Sequence, residues 1–140
     1  MIIRTKIRYF ILLVIPLILL TLLSAFSFAD TDIISQESDI YNEKIELYKQ
    51  AIAINLNDAN VHYNLGVAYG NLGMYKEAIE LYDRAIEINP DYAKAYYNLG
   101  VAYENSGKYQ EAIESYNQAT RINPDYVKAH YNLGVVYGIS

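Results

Sequence analysis

The sequence predicts an all-α protein built from repeated helix pairs. Three observations predict it. Short motifs recur at a constant step. Each copy carries two apolar stripes of helical spacing. Glycine and proline fall between the stripes at fixed places. The step is seen in "YNLG", ending at Gly66, Gly100 and Gly134, in "EAI", beginning at Glu77 and Glu111, and in "INPDY", beginning at Ile88 and Ile122.

The segment from Met1 to Ala29 stands apart. Arg4, Lys6 and Arg8 precede an almost unbroken apolar run from Tyr9 to Ala29. Such a run is too uniform to be one face of a soluble helix. It reads as an N-terminal hydrophobic helix, either a secretory signal cleaved between Ala29 and Asp30 or a single membrane anchor. Ser27 and Ala29 suit the protease, and Pro16 weakens a permanent span. In both cases the basic head stays in the cytoplasm and the remainder is exported. The expected location is extracytoplasmic, periplasmic or secreted, or anchored with the repeats outside the cytoplasm. Residues 30–39 read as a linker.

From residue 40 the array begins. Residues 40–58 align with the second half of a copy. Ala59–Tyr92 and Ala93–Tyr126 are full copies, and residues 127–140 are the first part of another. In the first helix of a copy, His62, Leu65, Gly66 and Tyr69 fall at i, i+3, i+4 and i+7. In the second, Tyr75, Ala78, Ile79, Tyr82, Ala85 and Ile86 form the matching stripe. Gly66 and Ala78 would let the helices approach, with Tyr69 and Tyr82 filling the space beside them. Gly73 and Gly107 mark helix ends. Pro90 and Pro124 mark the passage between copies, with Asp91 and Asp125 as candidate N-caps. Lys44 occupies the slot of Ala78 and Ala112. No matching first helix precedes it, so it can face water as part of a polar cap.

The pattern Leu65-Gly66, Tyr69, Ala78, Tyr82, Ala85, Pro90 resembles the tetratricopeptide repeat. So does Leu99-Gly100, Tyr103, Ala112, Tyr116, Ala119, Pro124. The resemblance implies an α-solenoid, a right-handed superhelix of antiparallel helix pairs. Its concave face would bind a peptide or a protein segment.

Composition narrows the function. The chain has no cysteine, so it has no disulfide, thiolate metal site or cysteine nucleophile. From Asp30 onward eight basic residues face sixteen acidic ones, a balance of −8 that argues against nucleic acid. His62 and His130, the only histidines, share one packing slot in different copies and make no metal pair. Gly66, Gly70 and Gly73 lack the strand and the Lys-Ser/Thr of a phosphate loop. Glu80 and Arg84 read as a surface pair at i, i+4. No catalytic constellation, cofactor site or metal site emerges, so a non-enzymatic scaffold is expected.

A second stripe runs along each first helix: Asn60, Tyr63, Asn64, Val67, Asn71; then Lys94, Tyr97, Asn98, Val101, Asn105; then Lys128, Tyr131, Asn132, Val135, Ile139. Stacked, these make ladders of Tyr, Asn and Val. In the resembled family such positions line the concave groove. A side-chain amide can donate to and accept from an extended peptide at once. The alternative is that Asn64, Asn98 and Asn132 bridge neighbouring copies. The family's carboxylate clamp is incomplete: Tyr63 and Val67 replace its Lys and Asn, and only Asn98 and Lys128 fit. The last helix keeps its packing stripe to the end of the sequence. Leu133, Val136 and Tyr137 would then be exposed, through truncation of a longer array or as a docking face for another copy. The second functional reading is therefore an assembly piece that stacks end to end.

Overall fold

The computed structural model describes the backbone of residues 2–139 and the side chains of residues 17–21 and 33–138. Six α-helices follow one another among the described residues: α1 (Ile2–Ile54), α2 (Ala59–Asn71), α3 (Tyr75–Ile88), α4 (Ala93–Asn105), α5 (Tyr109–Ile122) and α6 (Val127–Ile139). The chain divides into two units, residues 1–39 and residues 40–140. Among the described residues no helix is long and apolar enough to cross a membrane. The targeting segment read at residues 1–29 falls mostly outside the residues whose side chains are described. The linker read at residues 30–39 is part of α1.

In the second unit, neighbouring helices pack in sequence order, α2 on α3, α3 on α4, α4 on α5 and α5 on α6. Each α2–α3 and α4–α5 turn is made the same way. Gly73 and Gly107 both sit at φ +73°, where a Cβ would be strained. That conformation lets Met74 N–H reach back to Tyr69 O at 3.0 Å, and Lys108 N–H to Tyr103 O at 2.9 Å.

The passages between copies are built differently from the caps read in the sequence. Asn89 and Asn123 each accept the amide two residues ahead, at 3.2 Å, in turns that lead through Pro90 and Pro124. The N-cap of α4 is Tyr92, one residue after Asp91, and it makes no side-chain cap bond. Among α2 to α5 only α2 has a carboxylate cap: Asp58 accepts from Asn60 N–H at 2.9 Å. Asp58, Tyr92 and Tyr126 occupy the same slot in successive copies. Tyrosine displaces the capping acid there because its ring packs on the preceding copy, Tyr92 on Tyr63 and Tyr126 on Tyr97, each with centroids 5.0 Å apart.

The core follows the two stripes. Ala78, Tyr82, Leu99 and Ala102 form one buried cluster, and Ala112, Ile113, Tyr116 and Val136 another. Ile45 of α1 joins Leu65 and Ala68 in a third. Lys44 is exposed, with its Nζ 5.4 Å from the centre of the Tyr41 ring. Gly66 and Gly100 are where the paired helices touch. A Cβ at Gly66 would lie 2.7 Å from Tyr82 Cε1, and one at Gly100 would lie 2.6 Å from Tyr116 Cε1. Both positions need glycine because a tyrosine ring lies across the backbone. Arg84 pairs with Glu87 at 2.6 Å rather than with Glu80.

Val136 is not on the open face of α6. It takes the slot of Ala68 and Ala102 and is fully buried against α5, among Ala112, Ile113 and Tyr116. Leu133 is half-buried in the same cluster, while Tyr137 is exposed. The expected patch of Leu133, Val136 and Tyr137 is therefore broken up: α5 covers Val136 and part of Leu133, and only Tyr137 stays exposed. The opposite side carries Gly134 and Gly138, where a Cβ would meet nothing within 4 Å.

Candidate functional site: a groove lined by tyrosine and asparagine

The second stripe of α2 and that of α4 face one hollow of about 180 Å³. Val67 and Asn71 contribute from α2, and Asn98, Val101 and Asn105 from α4. Gly70, Tyr75, Tyr82 and Ala102 complete it. The α-helical period brings Val67 and Asn71 to one side, as it does Asn98, Val101 and Asn105. Lys94, Lys128, Tyr131 and Val135 are exposed and do not line this hollow. Asn64 is half-buried.

Two members of the asparagine ladder bond tyrosines of the copy before them. Of the ladder only Asn98 also borders the hollow, Asn64 and Asn132 not being among its lining residues. Asn98 Nδ2 donates to Tyr63 Oη at 3.0 Å, from one copy to the copy before it. Asn132 Nδ2 donates to Tyr116 Oη at 3.1 Å. Asn105 Nδ2 donates to Val101 O of its own helix at 2.8 Å. Each of these amides keeps a second N–H and its carbonyl oxygen for other partners. The tyrosines are clustered too. Tyr63 lies against Tyr82, with centroids 6.0 Å apart, and Tyr97 against Tyr116, 5.8 Å apart. Tyr92 Oη donates to Asn60 Oδ1 at 2.9 Å. Burial raises the pKa of Tyr63, Tyr82 and Tyr116 above the ordinary phenol value, so these hydroxyls stay protonated and can donate. The Tyr116 shift is reinforced by its bond to Glu104.

Four contributors are not among the groove positions read from the sequence: Gly70, Tyr75, Tyr82 and Ala102. Tyr75 and Tyr82 belong to the packing stripe of α3, and nothing in a single stripe shows that a packed ring also reaches the groove. The visible signal was a break in the repeat: Gly70 and Gly138 correspond to Glu104.

The histidines work in the connections. His62 Nε2 lies 3.0 Å from Leu56 O and His130 Nε2 lies 2.8 Å from Pro124 O, so in each an N–H donates to a carbonyl of the preceding loop. Among the described residues no group of three or more acidic or histidine side chains converges to hold a metal.

Residues 57–125 match the family model described as tetratricopeptide repeat. No curated protein sequence matches the chain. A crystal structure of MamA is similar at 34% identity with a TM-score of 0.69, covering 70% of this chain and 57% of that one. A second MamA structure gives 34% identity and a TM-score of 0.68, covering 70% and 54%. The chain thus spans little more than half the length of these relatives. The second such repeat domain of human RPAP3, solved in complex with the HSP70 peptide SGPTIEEVD, is 28% identical with a TM-score of 0.67, covering 69% of this chain and 81% of that domain.

Proposed function

The chain belongs to the tetratricopeptide repeat family, and from that premise we propose that it is a non-enzymatic scaffold whose concave groove holds a peptide or protein segment. One observation carries this reading. Val67, Asn71, Asn98, Val101 and Asn105, all picked from sequence as groove positions, border a single hollow between two copies. Its walls mix apolar methyls with amides that have unspent donors and acceptors, the combination a peptide backbone needs. The repeat domain of RPAP3 seen with a bound peptide supports a peptide as the occupant.

We place this scaffold outside the cytoplasm on the strength of the basic head and apolar run of residues 1–29. Mass spectrometry of the protein made in a bacterial host should find Asp30 at the N-terminus. An intact Met1 in the membrane fraction would favour the anchor, and an intact soluble cytoplasmic chain would refute export.

The groove is tested by pull-down from an envelope extract with the full chain as bait. Asn71 is exposed, borders the hollow and is not part of the buried core. Asn71→Trp should fill the hollow and remove the captured partner. Capture unchanged by Asn71→Trp would refute the groove as the binding face. An end-to-end assembly role is the second reading. It is supported by the open side of α6 at Gly134 and Gly138 beside exposed Tyr137. Sedimentation equilibrium decides it: concentration-dependent association lost on Tyr137→Glu would support stacking, and a strict monomer would exclude it.

A further inference from the structure

The two full copies differ at one position beside the groove. Glu104 stands in α4 where α2 has Gly70 at the equivalent position of the preceding copy. In the second copy Tyr116 Oη donates to Glu104 Oε2 at 2.7 Å. That length is typical of a hydroxyl donating to an ionised carboxylate. In the first copy the corresponding tyrosine is Tyr82. It is only 4% exposed, yet its hydroxyl faces the space above Gly70, where a Cβ would sit 3.5 Å from Tyr82 Oη. The array supplies no carboxylate there. Instead Gly70 and Tyr82 open onto the hollow of about 180 Å³, together with Asn71, Tyr75, Asn98 and Asn105. That is well above the roughly 30 Å³ share of one water. Asn98 and Asn105 each have one N–H engaged, with Tyr63 Oη and Val101 O, and one left over.

We propose that this hollow takes the carboxylate of an acidic side chain from a bound peptide, with Tyr82 Oη donating to it, in the place that Glu104 fills within the second copy. The inference rests on the groove being a peptide site and names the chemistry that one subsite selects. The donors are neutral, and the array from residue 40 carries twelve acidic residues against eight basic ones, a balance of −4. The field of the domain therefore repels a peptide that is acidic throughout. The fitting ligand has a single acidic residue among basic or neutral ones.

Two arms test this in the full chain. The first needs no ligand. Gly70→Glu places a carboxylate on the helix itself, in ordinary van der Waals contact with Tyr82 and Ala78. Gly70→Glu should melt higher than Gly70→Gln by about 4–8 °C, the shift expected for one modest hydrogen bond. The sign is diagnostic, because near a helix C-terminus the dipole alone favours Gln over Glu. The difference should vanish when Tyr82 is also changed to Phe. Equal melting of the two variants overturns the proposal.

The second arm titrates the pentapeptide amide Ac-KAEAK and its Gln counterpart, Ac-KAQAK. The side-chain amide signals of Asn71, Asn98 and Asn105 are followed by NMR. The Glu peptide should bind about fivefold more tightly, about 1 kcal/mol. That preference should be lost in Tyr82→Phe, and binding should be blocked in Gly70→Glu. Equal binding of both peptides overturns the carboxylate subsite and leaves the groove standing. Binding of neither overturns both readings.

Discussion

Gly66, Gly100 and Gly134 occupy one slot in three copies, yet adding a methyl group should have opposite effects at Gly100 and Gly134. At Gly100 the new Cβ would lie 2.6, 2.7 and 3.0 Å from three ring carbons of Tyr116. That ring cannot step aside. Tyr116 is fully buried, and its hydroxyl is held by Glu104 at 2.7 Å and by Asn132 at 3.1 Å. Overpacking of this kind costs about 1–3 kcal/mol. At Gly134 a Cβ would meet nothing within 4 Å. There only the helix preference of alanine over glycine acts, stabilising by up to about 1 kcal/mol. The same preference acts at Gly100, so the difference between the two variants isolates the ring clash. Gly100→Ala should unfold about 1–3 kcal/mol more easily than Gly134→Ala. Gly66→Ala should fall between them. Its Cβ would be 2.7 Å from Tyr82, but the Tyr82 hydroxyl lacks the carboxylate that pins Tyr116. Urea unfolding of the full chain, followed by circular dichroism, measures all three. Equal midpoints for Gly100→Ala and Gly134→Ala would refute the helix contact as described.

Other outcomes follow from the same packing. Lys44→Ala should change stability by less than about 0.5 kcal/mol, whereas Ala78→Lys, at a fully buried site, should abolish the cooperative transition; similar effects in the same urea assay would mean the register is wrong. Asn98→Ala should destabilise by about 1 kcal/mol, because it removes the bond to Tyr63; an unchanged midpoint would mean the bridge contributes nothing. Stability should also depend on alkaline pH. The folded chain raises the pKa of Tyr63, Tyr82 and Tyr116 above the reference value of 10.0, chiefly by burial. The stabilisation is complete below the unfolded value and is lost as pH rises through the folded ones. Urea midpoints should therefore be level near neutrality and fall above about pH 10, with a shallower fall in Tyr116→Phe; a midpoint rising with pH would contradict the burial of these phenols.

The helical period and the constant repeat step made the all-α fold readable, because a stripe such as Tyr75, Ala78, Ile79, Tyr82 has one physical solution. Partner choice was harder to read. Asp91 has the chemistry of a cap, but the cap slot belongs to Tyr92, whose ring packs on Tyr63. Arg84 reaches Glu87 instead of Glu80, a choice between two exposed partners that spacing does not rank. Val136 reads as exposed when the last helix is taken without a partner on that face, yet it takes the slot of Ala68 and Ala102 and lies buried against α5. The asparagine ladder left two readings open, and the structure shows why: one amide can bond Tyr63 across the copies and still present its other N–H to the groove. The Gly70–Glu104 mismatch was visible in the letters. Its meaning depended on where Tyr82 and Tyr116 point, which only packing decides.

The hollow has a further consequence because of whose residues border it. Val67, Gly70, Asn71, Tyr75 and Tyr82 come from one copy, and Asn98, Val101, Ala102 and Asn105 from the next. In a linear array, cooperativity is the strength of coupling between adjacent units, and each unit otherwise opens on its own terms. An occupant of this hollow touches both units and so adds to their coupling. It would suppress the openings that separate the copies more than those confined to either one. Amide exchange slowed at the α3–α4 boundary, more than within α5 and α6, would be the trace that such an occupant leaves in the dynamics of the chain.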